Sequence, residues 1–330
     1  MKSIITGGAG FIGSHLAEAI SKLGHQVVVI DNFCTGRSKN LDNIQSRIEI
    51  VEEDIETYGD WSDVFKNADW VFHLAALADI VPSIEKPEEY FSVNVGGTFN
   101  VLRASKEAQV SRFIYTASSS CYGLPEEFPT PEVAQIQPQY PYALTKWLGE
   151  ELVLHWAKVY QLPAVSLRLF NVYGPRSRTA GTYGAVFGVF LAQKLANQPF
   201  TIVGNGNQTR DFTYVSDIVD AFIASAESGV TAEAFNVGSG ETVSVNKIVE
   251  LLGGGEKVYL PKRPGEPDCT FAHIGKIANY LGWKPRIPIE NGVEQLLKKV
   301  NDWKDAPVWT AETIEDATRA WFHHLGASED

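Results

Sequence analysis

The segment YPYALTKWLGEELVLHWAKVY places Tyr142 and Lys146 four positions apart. On a helix, two such side chains share a face. An ammonium beside a phenol favours the phenolate, so this spacing predicts a tyrosine whose pKa is lowered. A phenol tuned in that way serves as a general base near neutral pH. Tyr140 stands six positions from Lys146 and would not share its face. The pair alone is frequent in helices. One element upstream, YTASSSCYG ends a strand-like run in Ser118, Ser119 and Ser120. A serine at a strand end, Ser118 by preference, can hydrogen-bond the hydroxyl that Tyr142 would deprotonate.

A second pattern explains what such a base would work beside. In ITGGAGFIGSHL, Gly7, Gly10 and Gly13 lie three apart between an apolar run and a helix-like stretch, and Asp31 ends the next apolar run. That context, more than the glycines alone, reads as a dinucleotide-binding turn. Gly7 permits the tight turn, Gly10 lets the backbone approach a pyrophosphate, and Gly13 allows close helix–strand packing. The anion rests on free N–H groups at the positive end of a helix. Asp31 can accept hydrogen bonds from both hydroxyls of an adenine ribose and would repel a 2′-phosphate, so NAD is expected over NADP. A nicotinamide cation nearby would lower the Tyr142 pKa further.

The elements that must position these groups follow from the hydrophobic pattern. KSIITG, HQVVVIDN, RIEIVEEDI, ADWVFHLAAL and SRFIYTASSS read as five strands. HQVVVIDN shows no alternation, as expected of a strand buried on both faces. GSHLAEAISKLG carries apolar residues at helical spacing and ends at Gly24, a helix C-cap. Strand alternating with helix implies right-handed βαβ units: a Rossmann-type, doubly wound parallel sheet of class α/β. Its NAD-binding domain is expected over 1–170, with a returning segment near 210–238. A smaller C-terminal α/β substrate-binding domain is expected over 171–330. There, TYGAVFGVFLAQKLANQ reads as a helix, GNGNQTRDFTYVSDIVDAFIASAES as loop, strand and helix, and EAFNVGSG as a strand. The Pro- and Gly-rich stretch Val258 to Trp283 reads as loop. Thr310 caps a final helix.

Composition narrows the partners. The 330 residues carry a net charge of −12, which argues against nucleic acid. An anionic ligand then needs placed arginines. Three scattered cysteines and seven histidines without ligand spacing imply neither disulfides nor a metal. With no leader and no apolar run near the ~20 residues of a membrane span, a cytoplasmic protein is expected.

The chain resembles the extended short-chain dehydrogenase/reductase family and, within it, the nucleotide-sugar 4-epimerases of the UDP-glucose 4-epimerase type. The motifs are TGGAGFIG (6–13), DN (31–32), DI (54–55), HLAAL (73–77), NVGGT (94–98), SSSCYG (118–123), YALTK (142–146), RLFNVYGPR (168–176), RDFTYVSD (210–217) and RPGEP (263–267). The resemblance implies a cofactor site that adds Phe11, Ile12, Asn32, Asp54, Ile55, Leu74, Ala75, Ala76, Asn94 and Phe170 to the glycines, Asp31, Tyr142 and Lys146. It implies a nucleotide-sugar site of Ser118, Asn171, Arg210, Arg263 and Thr270. Arg210 and Arg263 would grip the diphosphate, for which the guanidinium fork is suited. It also implies a homodimer built on the helix near Tyr90 to Ala108 and the helix carrying Tyr142. Leu148, Leu152 and Trp156 would serve that contact or the core.

The resemblance further implies oxidation at C4 of the sugar, with Tyr142 taking the O4 proton. An epimerase then returns hydride to the other face of the 4-keto sugar. Related dehydratases and decarboxylases carry an acidic residue after the active-site Ser/Thr, where this chain has Ser119 and Ser120. Epimerisation of a UDP-hexose or UDP-N-acetylhexosamine is therefore expected, with a 4,6-dehydratase, a decarboxylase or a non-catalytic NAD-binding protein as alternatives. Thr270 stands where similar epimerases carry a bulky tyrosine, which predicts room for an N-acetyl group. His273 replaces a common Asp.

Overall fold

The computed structural model describes residues 1–177 and 185–326. In chain order, β1 (Lys2–Thr6), α1 (Phe11–Lys22), β2 (Gln26–Ile30), β3 (Ile48–Val51) and β4 (Trp70–His73) form the first half of a sheet. The second half is built from α2 (Ile80–Glu85), α3 (Pro87–Phe91), a π-helical turn (Ser92–Gly97), α4 (Thr98–Glu107), β5 (Arg112–Ser118), α5 (Pro141–Val159) and β6 (Ala164–Leu169). Seven strands make the sheet, in the order β11-β6-β5-β4-β1-β2-β3, where β11 is Glu233–Val237. All of its pairings are parallel. Strand order reverses between β1 and β4, so the carboxyl ends of those strands open onto a crevice.

The pleat divides neighbouring residues between two cores. Ile5, Val29, Phe72 and Ile114 face one side with Leu16 and Ile20 of α1. Ile4, Val28, Val71 and Phe113 face the other with Val101 of α4 and Val153 of α5. Both faces are covered by helices, which is why these strands read as unbroken apolar runs.

Strand does not always alternate with α-helix. The β2–β3 connection holds only the short 3₁₀ turns Ser38–Asn40 and Gln45–Arg47, and the β3–β4 connection a 3₁₀ helix, Asp60–Phe65. These stretches are rich in Asp, Asn, Ser and Gly, whose side chains or flexible backbone favour turns over helix.

The C-terminal half adds β7 (Asn171–Tyr173), α6 (Val186–Leu195), β8 (Phe200–Val203), β9 (Thr209–Arg210), β10 (Phe212–Tyr214) and α7 (Val215–Glu227) before β11. The helix expected from 182 begins at Val186; 182–184 lie outside the described residues. After β11 come β12 (Val243–Ser244), α8 (Val245–Leu251), β13 (Lys257–Leu260), α9 (Gly275–Leu281), α10 (Ile289–Leu297) and α11 (Ala311–Leu325). The stretch 258–283 is thus not all loop. β13 pairs in parallel with β8, and α9 buries Ile277 against the first core. Elements of four and seven residues are too short to display a hydrophobic period. Thr310 caps α11 as expected, accepting from the Thr313 amide within a capping box. A third core of Tyr173, Phe190, Phe200, Phe212, Ile248 and Trp303 supports this half.

Candidate active site

One cavity of ≈ 710 Å³ runs along the carboxyl ends of the sheet strands and into the C-terminal half. Every residue expected to touch cofactor reaches it except Asn94, and every residue expected to touch substrate reaches it except Thr270.

At one end lies the glycine turn. Gly7 has φ +71°, and its N–H donates to the Ile30 carbonyl at 2.8 Å. A Cβ on Gly7 would stand 2.6 Å from the Ala75 nitrogen, and one on Gly13 would collide with the Gly7 carbonyl oxygen. A Cβ on Gly10 would meet only that same oxygen, at 3.1 Å. Gly7 and Gly13 therefore pack against backbone, while Gly10 leaves its open side to a ligand at the start of α1. Asp31 is held by two amides: Ala9 N–H donates to Oδ2 at 2.8 Å and Phe33 N–H to Oδ1 at 2.9 Å. Burial raises its pKa, opposed by those two hydrogen bonds. Beside it, Asn32 Nδ2 donates to Asp54 Oδ2 at 2.7 Å. The open glycine face, the helix start and an oriented carboxylate fit an adenine dinucleotide carrying a free ribose 2′-hydroxyl.

At the middle, Ser118 ends β5 while Tyr142 and Lys146 project from the first turns of α5, which starts at Pro141. The Ser118 hydroxyl lies 2.8 Å from that of Ser120 and accepts the Ser120 amide at 3.2 Å. The expected fall in the Tyr142 pKa is not what this fold produces. Burial raises it, with a hydrogen bond from Ser118 pulling the other way. Lys146 Nζ stands 4.4 Å from the centroid of the Tyr115 ring, and burial lowers its pKa to about 7, against the pull of Glu150. Loss of water sets the direction of both shifts, and the Lys146 charge is not among the causes of the Tyr142 shift.

Asn94 supports the site from behind. Its Oδ1 accepts from Leu77 N–H at 2.8 Å, and its Nδ2 donates to the Leu77 carbonyl and to Thr145 Oγ1, each at 3.0 Å. The π-helical turn that holds it is of a kind frequent at functional sites. Asn94 thus ties Leu77 to Thr145 from behind the cavity and does not itself line it. Leu77, which Asn94 holds, continues the cavity wall formed by Leu74, Ala75 and Ala76.

At the far end, Asn171, Arg210 and Arg263 face the cavity. Thr270 stands behind them and donates to Asn171 Oδ1 at 2.9 Å, so it orients Asn171 instead of forming the wall. Sequence reasoning missed Glu266, whose Oε1 lies 2.9 Å from Arg210 Nη2 and whose Oε2 lies 3.6 Å from Arg263 Nη1. It lies three residues after Arg263 in RPGEP, and that spacing was the available signal. Also missed were Trp309 and Trp321, which line this end from the C-terminal segment. Among the described residues, no group of three or more His, Cys, Asp or Glu is placed to hold a metal ion.

Residues 3–238 match the NAD dependent epimerase/dehydratase family. The chain is 32% identical over 308 residues to a UDP-glucose 4-epimerase of Mycolicibacterium smegmatis, covering 90% of this chain and 98% of that one. It is 36% identical over 320 residues to a UDP-N-acetyl-alpha-D-glucosaminuronate decarboxylase of Bacillus cytotoxicus, covering 90% and 97%. Among solved structures it is similar to the UDP-glucuronic acid 4-epimerase of Bacillus cereus in complex with UDP-glucuronic acid and NAD. The TM-score is 0.85 and the identity 34%, with 92% of this chain and 99% of that one covered.

Proposed function

This chain belongs to the NAD dependent epimerase/dehydratase family, and from that premise we propose that it inverts C4 of a nucleotide-activated sugar through a transient 4-keto intermediate. The carrying observation is the continuity of the cavity: the glycine turn, the Ser118–Tyr142–Lys146 group and the two arginines open into one space. NAD, when bound, supplies a reversible hydride acceptor for C4. Tyr142 takes the O4 proton as C4 is oxidised and returns it when C4 is reduced from the other face. Ser118 hydrogen-bonds the same oxygen and fixes its position. Lys146 faces the same space and, being buried, gains or loses its proton near neutral pH. Arg210, Arg263 and Asn171 hold the diphosphate while the sugar turns.

Ser119 and Ser120 carry no carboxyl group for proton transfer at C5 and C6, which favours epimerisation over dehydration. The decarboxylase relative supports a second reading, in which a uronic-acid substrate loses its carboxylate. A panel of UDP-hexoses, UDP-N-acetylhexosamines and UDP-uronic acids separates them by mass. Epimerisation leaves mass unchanged, dehydration removes water and decarboxylation removes carbon dioxide. Tyr142→Phe should abolish turnover on every substrate; undiminished turnover would defeat the assignment of Tyr142.

Two finer statements accompany this reading. A homodimer is supported by Phe91 (55% exposed), Phe99 (46%) and Leu144 (41%), apolar residues on the packed helices α3, α4 and α5. Trp156 is instead buried against Phe99 and Tyr160. Light scattering at a mass of two chains checks the pairing. A cytoplasmic setting is supported by three free cysteines. Among the described residues, no helix is long and apolar enough to cross a membrane.

A further inference from the structure

The C-terminal helix α11 lies beyond the residues that match the family, yet it reaches the substrate end of the cavity. It packs against α2, which follows the loop lining the cofactor side. Its Trp321 is 4% exposed and engages two elements of the site. The indole Nε1 donates to the Pro264 carbonyl at 2.7 Å, and the Arg263 guanidinium carbon lies 5.4 Å from the ring centroid. On the other side, the Tyr140 ring lies 6.0 Å from the indole and is itself stacked on Tyr142, centroid to centroid 6.4 Å with an interplanar angle of 6°. An aromatic relay thus connects the phosphate-gripping arginine to the proton-transferring phenol.

We propose that Trp321 is a positioning residue for the substrate diphosphate. It fixes Arg263 by ring and by N–H, and so sets the separation between the phosphate grip and Tyr142 that a nucleotide sugar must span. An arginine side chain has many rotamers, and a planar cation over an indole face, with the next residue's carbonyl tied to the same indole, removes much of that freedom before ligand arrives. Glu266 competes for the same guanidinium. Without the indole, Arg263 would turn toward that carboxylate and away from a diphosphate. The inference rests on the nucleotide-sugar reading.

Its test is calorimetric binding of UDP and of uridine to the NAD-loaded protein, beside steady-state kinetics. Trp321→Ala should weaken UDP binding about thirtyfold, the size of one desolvated cation–π contact. Uridine binding and bound NAD should stay at wild-type values, and KM should rise more than kcat falls. Trp321→Phe keeps a ring over Arg263 and should recover most of the loss. If Trp321→Ala does not fold, Trp321→Leu keeps the apolar contact of α11 without the π-face and carries the same expectation. Equal UDP affinity in wild type and variant overturns the inference alone, as does an equal loss for UDP and uridine, which marks a general structural role. Wild-type protein that holds NAD but binds none of UDP, dTDP, GDP and CDP overturns the nucleotide-sugar reading, and this inference with it.

Discussion

Glu150 and Arg168 form a buried ion pair between α5 and β6, with Glu150 Oε1 2.6 Å from Arg168 Nη2. Arg168 Nε reaches both carboxylate oxygens at 3.0 and 3.1 Å, and Ser166 donates to Oε2 at 2.7 Å. Arg168 Nη1 donates to the Tyr122 hydroxyl at 2.8 Å and to the Glu132 carbonyl at 2.9 Å. The pair joins α5, one turn beyond Lys146, to β6 by charge-assisted bonds.

Glu150→Ala would leave that guanidinium buried and uncompensated. The expected loss is about 3–5 kcal/mol, read in urea unfolding as a lower midpoint with an unchanged slope. Glu150→Gln keeps an acceptor for Arg168 and should lose less. A midpoint for Glu150→Ala equal to wild type would show that the pair does not anchor α5.

Asn94→Ala removes the side chain that joins Leu77 to Thr145. The loop after β4 and helix α5 would then drift relative to each other. Misplacement near 1 Å costs about 10²-fold in rate, so kcat should fall on that order while most of the bound NAD is retained. An unchanged kcat would return Asn94 to a role in packing alone.

What the sequence discloses about this site depends on how far apart the partners lie along the chain. Gly7, Gly10 and Gly13 share one turn, and Tyr142 and Lys146 share one helix, so local spacing reveals them. Thr270 and Asn171 are 99 positions apart, and Trp321 and Pro264 are 57 apart. Nothing local announces either contact, which is why Thr270 reads as a wall and α11 as packing. The Tyr142 pKa fails for a related reason. Spacing names the neighbouring charge, but burial, which decides the direction, is a property of the whole fold. In the sheet, β-branched runs mark strands buried on both faces, whereas α8, α9 and β13 are too brief to show a period.

Gly13→Ala tests the close approach of α1 to the first turn. Its Cβ would strike the Gly7 carbonyl oxygen and stand 2.8 Å from Gly8 Cα, and neither backbone atom can rotate away. Overpacking of this kind costs about 1–3 kcal/mol, and it should also strip bound NAD, measured by absorbance after denaturing extraction. Gly229→Ala meets nothing within 4 Å and should match wild type in both respects. Full NAD content in Gly13→Ala would refute the assigned role of the turn.

His73 makes stability depend on pH in a defined window. Thr98 Oγ1 donates its one proton to the Asn94 carbonyl at 2.6 Å, so at 2.9 Å it must accept from His73 Nε2–H. Burial keeps the ring neutral, and Nδ1 then accepts from the Thr6 hydroxyl at 2.7 Å. Burial, with a smaller contribution from the Lys146 cation, pushes its pKa down to about 3 from an ordinary 6.5. Between those values the unfolded chain binds a proton that the folded chain does not. Stability falls as pH drops from 6.5 toward 3, with a slope approaching about 1.4 kcal/mol per pH unit. Carboxylates titrate in the same range, so the comparison is with His73→Asn, which lacks this contribution. Urea unfolding from pH 7.5 to 4.5 should show the advantage of wild type over His73→Asn shrinking as pH falls. Parallel pH curves for the two proteins would mean that the ring titrates in the fold as it does in the unfolded chain and that burial does not hold it neutral.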